Sequence, residues 1–183
     1  MTLPFFTIGH STRTVEAFLN LLRVAEVTVV ADIRSVPRSK TNPQYNYDLL
    51  PETLAASQVG YEHIAELGGL RGKSKTAPPH LNGFWENQSF HNYADYALTA
   101  SFNSGLNKLT ELGRTRRCAM MCSEAVWWRC HRRLVADHLL ARGENVFHLM
   151  GNDKIQPAKL TIGACISKDG TVTYPEKHVP AEG

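Results

Sequence analysis

No apolar run in the sequence approaches the roughly 20 residues that a membrane-spanning helix needs, so a helical membrane protein is not expected. The opening MTLPFFTIGHS has no basic segment ahead of a long apolar stretch. A secretory signal is therefore not expected, and a cytoplasmic location is. Cysteine is scarce: Cys118, Cys122, Cys130 and Cys165 are too few and too unevenly spaced for a disulfide framework, and reduced thiols are expected. Cys-x-x-Cys does not occur, which disfavours thioredoxin-type chemistry and zinc ribbons. Gly-x-Ser-x-Gly and Gly-x-Gly-x-x-Gly are also missing. Gly69-Leu70-Arg71-Gly72-Lys73-Ser74 approaches a phosphate-binding P-loop, but Leu67 stands where that motif needs its first glycine. There is no internal repeat and no low-complexity tract.

What is present is ordinary globular chain: 183 residues, 43% hydrophobic and 20% charged, enough for one domain with its own core. A net charge of +3 permits an anionic ligand without demanding nucleic acid. Strand-like and helix-like segments alternate. Phe5–Gly9 reads as a strand; Thr14 reads as the N-cap of a helix carrying Val15, Phe18, Leu19 and Leu22 at helical spacing. Residues 27–33 are β-branched and apolar, as in a strand buried on both faces. A loop over 34–47, a short helix over 49–58 and a strand over 61–64 follow, then a long irregular segment over 67–92. The pattern next predicts a helical region over 93–112, interrupted near Asn103-Ser104-Gly105, and a strand over 117–122. It predicts a helix over 128–142 ended by Gly143, a strand over 145–149, and a terminal hairpin around Asp169-Gly170.

This alternation predicts a three-layer, doubly wound α/β fold, a mostly parallel sheet with helices on both faces. Residues 1–150 form the domain carrying the candidate site, and 151–183 an extension packed on it. In such folds ligands bind beyond the carboxyl ends of the strands. The residues there are polar: His10 and Ser11 after the first strand, then Asp32, Arg34 and Arg38 after the second, then Cys122 and Glu124. Alternation places Cys118, Met120, Cys122 and Glu124 on one face. On the following helix, His131 shares an inward stripe with Leu134, Val135 and His138, with Arg132 beside it. On that reading Cys130 points about 100° away, so Cys122, Glu124 and His131 are the grouping expected to share a proton or a metal. Asp32 has a plainer alternative as a helix cap or as the partner of Arg34, and His10 as a loop residue bonded to backbone. Cys118 and Cys165 are read as small buried hydrophobes.

The stretches Thr7–Thr12, Ala31–Ser39, Leu67–Arg71, Met121–Glu124 and Cys130–Arg132 together resemble a bacterial family known as domain of unknown function 488. The resemblance spans most of residues 6–150, with Ile33 where the family often has valine. It implies a prokaryotic, cytosolic protein and one shared site, without an established reaction.

The leading expectation is an enzyme acting on a phosphate-bearing or otherwise anionic small molecule such as a nucleotide. Cys122, Glu124, His131, His10 and Asp32 are its candidate catalytic residues. Ser11, Arg34, Arg38, Arg71 and Arg132 are its candidate substrate ligands. No resident metal is assigned, and the cofactor and oligomeric state are left open. The alternatives are a non-catalytic nucleic-acid-binding module built on the basic and aromatic loops, or a metal or redox site.

Overall fold

Six strands form one sheet in the order β3-β2-β4-β1-β5-β6 in the computed structural model, which describes residues 2–177. In chain order these are β1 (Phe5–Gly9), α1 (Val15–Val24), β2 (Val29–Asp32), α2 (Leu50–Ala55), β3 (Gly60–His63), α3 (Gln88–Tyr96), α4 (Ala100–Thr115), β4 (Cys118–Cys122), α5 (Arg132–Ala141), β5 (Val146–Met150) and β6 (Lys154–Pro157). All neighbours run parallel except β6, which is antiparallel to β5. A small hairpin, β7 (Cys165–Ile166) with β8 (Val172–Thr173), turns through Gly170 at φ +85°. Among the described residues no helix is long and apolar enough to cross a membrane.

The three-layer α/β arrangement follows from strands that are apolar on both faces. β1, β2 and β4 are buried along their whole length. Phe6, Ile8, Val30, Ala119 and Met121 face one side, where Phe18, Leu21 and Leu22 of α1 and Leu50 and Leu54 of α2 cover them. Phe5, Val29, Ala31, Cys118, Met120 and Cys122 face the other, beneath α3, α4 and α5. Thr14 caps α1 by accepting the Ala17 N–H at 3.1 Å, as its sequence position predicts.

Several boundaries differ from expectation. The helical region over 93–112 is two helices that break at Thr99, which caps α4 by accepting the Phe102 N–H, and not at Asn103–Gly105. Gly105 lies inside α4, where a Cβ would meet Glu66 Cβ at 2.8 Å; the glycine serves a close contact and does not break the helix. The predicted helix over 128–142 begins only at Arg132, after a 3-10 turn at Trp127–Arg129 and an extended Cys130. β6 was not expected, and it joins residues 154–157 to the main sheet. Tyr174, fully buried, donates its hydroxyl to Asp137 Oδ2 at 2.8 Å, so the stretch beyond 150 also reaches the core. Cys165 is exposed, contrary to its reading as a buried hydrophobe.

The strand order determines where a site can form. After β1 the chain passes over β4 to reach β2; after β4 it passes over β1 to reach β5. The two crossovers leave in opposite directions, so α1 and α5 lie on opposite faces. The crevice between them opens at the carboxyl ends of β1 and β4, where Gly9 pairs with Cys122.

Candidate functional site

At that crevice the chains are pressed together. A Cβ on Gly9 would lie 1.7 Å from the Glu124 carbonyl oxygen, so only glycine fits. The contact is held by His10 N–H donating to the Cys122 carbonyl (3.0 Å) and Ser11 N–H to that of Ser123 (2.9 Å). Beside it a cavity of about 830 Å³ opens, lined by Arg34, Arg38, Cys122, Glu124, Arg129, Cys130 and His131 among others.

Its floor is a pair of thiols. The donor atoms of Cys122, Cys130 and His131 all lie within 4.8 Å of one another. Cys130 reaches this group because it precedes α5 in extended conformation (φ −125°, ψ 146°); the angular separation expected of a helical Cys130 does not apply. The ring of His131 is fixed by Nε2–H donating to the Ile33 carbonyl at 2.9 Å. That bond assigns the tautomer, leaving Nδ1 as an acceptor 3.6 Å from Cys130 Sγ. Burial holds His131 below the usual histidine range, so the ring is neutral.

Arg132 lies under both sulfurs and is 1% exposed. Its Nη1 donates to Cys122 Sγ at 2.8 Å and to the Glu124 carbonyl at 2.6 Å, its Nη2 to the Ala125 carbonyl at 3.1 Å, and its backbone N–H to Cys130 Sγ at 3.4 Å. Nε is buried without a partner, and no carboxylate among the described residues forms an ion pair with this guanidinium. Burial alone pushes the Cys130 thiol up, but the neighbouring Cys122 thiol and the charge of Arg132 outweigh it and bring Cys130 down to about 7. Cys122 goes the other way, raised by burial and by the Cys130 thiol beside it. Of the two thiols, Cys130 is therefore the one that ionises more readily.

A second buried group sits behind the cleft. Arg34 forks onto Asp32, Nε to Oδ1 at 2.9 Å and Nη2 to Oδ2 at 2.6 Å. Nη2 also donates to the Tyr45 carbonyl (2.7 Å) and Nη1 to His10 Nε2 (3.2 Å). One of the five guanidinium hydrogens, on Nη1, is left without a partner. Asp32 accepts the Tyr61 hydroxyl (2.6 Å) and the Arg34 N–H (3.1 Å) as well. Neutral His10, held below its ordinary range by burial, stacks on Tyr45 and gives Nδ1–H to the Ser11 carbonyl at 2.9 Å.

The structure thus brings Arg34, Arg38, Cys122, Glu124 and His131 to one cavity, as strand-end reasoning expects. His10, Asp32 and Arg132 are buried behind it. Ser11, at φ +45°, does not line the cavity, and its backbone N–H and carbonyl are bonded to Ser123 and His10. Arg71 is turned inward: it donates to the Gly68 and Ala65 carbonyls, both at 2.9 Å, and stacks 3.8 Å above the Tyr96 ring. Glu124 contributes its carbonyl to Arg132, while its carboxylate stands exposed at the rim, outside the sulfur–imidazole group. Arg129 is not among the sequence-predicted site residues, and Cys130, expected to point away, lines the cavity with Cys122 and His131. The signal available for Cys130 was the absence of any capping residue before a helix starting at Trp128.

The trio Cys122, Cys130 and His131 is compact enough for a soft metal ion. The adjacent Arg132 charge opposes a dication there. A sequence model of the family described as Domain of unknown function DUF488 matches residues 14–139. No curated protein and no solved structure matches the chain.

Proposed function

The chain belongs to the DUF488 family, a membership that fixes no reaction, and from the chemistry of the site we propose a cysteine-dependent enzyme acting on a small anionic substrate. Cys130 is its nucleophile. Arg38 and Arg129, both exposed at the cleft, and the remaining Nη1 hydrogen of Arg34 receive the anion. Glu124, at the rim, exchanges a proton with the leaving or attacking group. Asp32 and His10 are positioning residues, since their polar atoms are spent on fixing Arg34.

The observation that carries this reading is the burial of Arg132 without a carboxylate partner. An uncompensated guanidinium in the core costs several kcal/mol, so a counter-charge is needed. The thiols beside it are the groups able to supply one. A metal centre on the same residues has the compact donor set in its favour. Two thiolates neutralising a dication would, however, leave Arg132 uncompensated again.

The test is iodoacetamide alkylation of the intact protein across pH, resolved by peptide mass spectrometry. Cys130 is expected to react first, with a half-maximal rate near the value of about 7 that its surroundings set. Inorganic phosphate or pyrophosphate should slow it, and Arg38→Ala combined with Arg129→Ala should remove that protection. A Cys130 rate that rises only with ordinary thiol ionisation, or stoichiometric zinc or copper that blocks both thiols in freshly purified protein, would overturn the proposal.

A further inference from the structure

A nucleophilic cysteine does not need a second thiol beside it, yet this site has one. We infer that Cys122 is the resolving partner of Cys130, so that the site turns over through an intramolecular Cys122–Cys130 disulfide and carries two electrons to an electrophilic oxidised substrate such as a hydroperoxide bearing an anionic group. The inference rests on the reading of Cys130 as the reactive thiolate and adds what happens to the intermediate formed on it.

The geometry is specific to this pair. Both sulfurs line the same cavity and lie within 4.8 Å of each other, against the roughly 2.05 Å of a disulfide bond. The closure needed is a change at Cys130, which sits in an extended link between a 3-10 turn and α5 and not within a helix. Cys118 is on the same face of β4 but does not line the cavity, and Cys165 is exposed elsewhere. The roles are unequal: Cys122 is fixed on β4 and receives Arg132 Nη1, whereas Cys130 sits in the extended link and is the thiol that ionises more readily. This is the division that attack and resolution require.

The steps balance. The Cys130 thiolate attacks the distal oxygen of the hydroperoxide; the O–O bond breaks and the alkoxide leaves, taking a proton from water to become the alcohol. Cys130 is then a sulfenic acid. Cys122 sulfur attacks Cys130 sulfur, the S–O bond breaks, and hydroxide leaves with the proton that Cys122 releases, as water. Two thiols have been oxidised by two electrons and one hydroperoxide reduced by two. An external dithiol restores the pair by exchange.

The experiment uses the full-length, fully reduced protein carrying Cys165→Ser, treated with a few equivalents of hydrogen peroxide near neutral pH. It is then quenched with N-ethylmaleimide and mapped by mass spectrometry. The expected product is a Cys122–Cys130 cross-linked peptide without sulfinic acid at Cys130, fully reversed by dithiothreitol. In the parent protein, loss of the Cys130 thiol should run at least about 10-fold faster than loss of the exposed Cys165 thiol. In Cys122→Ser and Cys122→Ala, dimedone should trap a sulfenic acid on Cys130 that otherwise proceeds to sulfinic acid. If Cys130 is over-oxidised with Cys122 still free in the Cys165→Ser protein, the inference fails while the thiolate reading survives. If Cys130 resists both peroxide and iodoacetamide, the reading beneath it fails as well. The map is decided without the Cys122 variants, should either of them not fold.

Discussion

The guanidinium of Arg132 donates through one nitrogen to the sulfur of Cys122, at 2.8 Å, while its own backbone N–H meets the sulfur of Cys130. One residue thus touches both thiols, from the side chain and from the first turn of α5. The positive end of that helix adds to the same field. The charge of Arg132 favours ionisation of both thiols, and with the neighbouring Cys122 it brings Cys130 down.

Replacing it is the sharpest test of that relationship. Arg132→Met removes the charge and the donors to Cys122, Glu124 and Ala125 while keeping a long buried side chain. The Cys130 thiol should then rise toward its ordinary value of 9.0, and alkylation at pH 7 should slow about 10-fold or more, with the rate recovered at high pH. An unchanged pH–rate profile would show that Arg132 does not govern the thiol.

The same shifts dictate how stability responds to pH. Cys130 titrates at about 7 in the folded chain against 9.0 when unfolded. A depressed acid adds stability that is fully present above 9.0 and disappears as pH falls through about 7. Burial raises Cys122 and Cys118, the latter to about 12, and a raised acid removes stability above 9.0. Melting temperature should therefore climb between about pH 7 and 9 and decline beyond it. Cys130→Ser should abolish the climb and leave the decline, and calorimetry of the two proteins across this range reads the difference. The histidines that burial lowers to about 4, His138 and His148, act at more acidic pH and cancel in that comparison.

Asp32→Asn removes the counter-charge of a guanidinium that is 5% exposed. The expected cost is about 3–5 kcal/mol, since breaking a buried pair leaves the other charge uncompensated. In a chain of this size that lowers the melting temperature by roughly 6–20 °C. Adding Arg34→Met should recover part of the loss, and equal melting of the single and double variants would show that the two residues are not coupled.

Gly69→Ala tests how His131 is held. The new Cβ would lie 2.5 Å from Nδ1 and 2.7 Å from Cγ of that ring, which must move off the Ile33 carbonyl. Circular dichroism should stay unchanged at a cost of about 1–3 kcal/mol, while the His131 Nε2 proton resonance disappears from the NMR spectrum. Persistence of that resonance would mean the ring tolerates the methyl.

Much of this was legible in the residues, because strand ends of a parallel sheet are identifiable from apolar runs alone. Asp32, Arg34, Cys122 and Glu124 follow such runs, and the sheet does bring Arg34, Cys122 and Glu124 to one cavity. What was not legible depends on spatial order. That β1 lies between β4 and β5, putting Gly9 against Cys122, is set by crossovers that leave no local mark. Cys130 was obscured for a local reason: His131 occupies the N-cap position of α5 without a side-chain capping bond, so the usual start signal is lacking. β6 has no local signature because it is an edge strand with Lys154, Gln156 and Pro157, and it has no buried face to impose alternation. The break between α3 and α4 did carry a readable sign, Thr99, but Gly105 looked like the stronger one.

The contact between Gly9 and the Glu124 carbonyl also bears on descent. A methyl at position 9 would push the 123–125 turn outward, and that turn supplies two of the carbonyls to which Arg132 donates. A lineage that drifts away from glycine there would loosen the arginine before it touched a thiol. Selection acting on the cysteines should therefore be recorded as an unvarying glycine on a strand more than a hundred residues upstream.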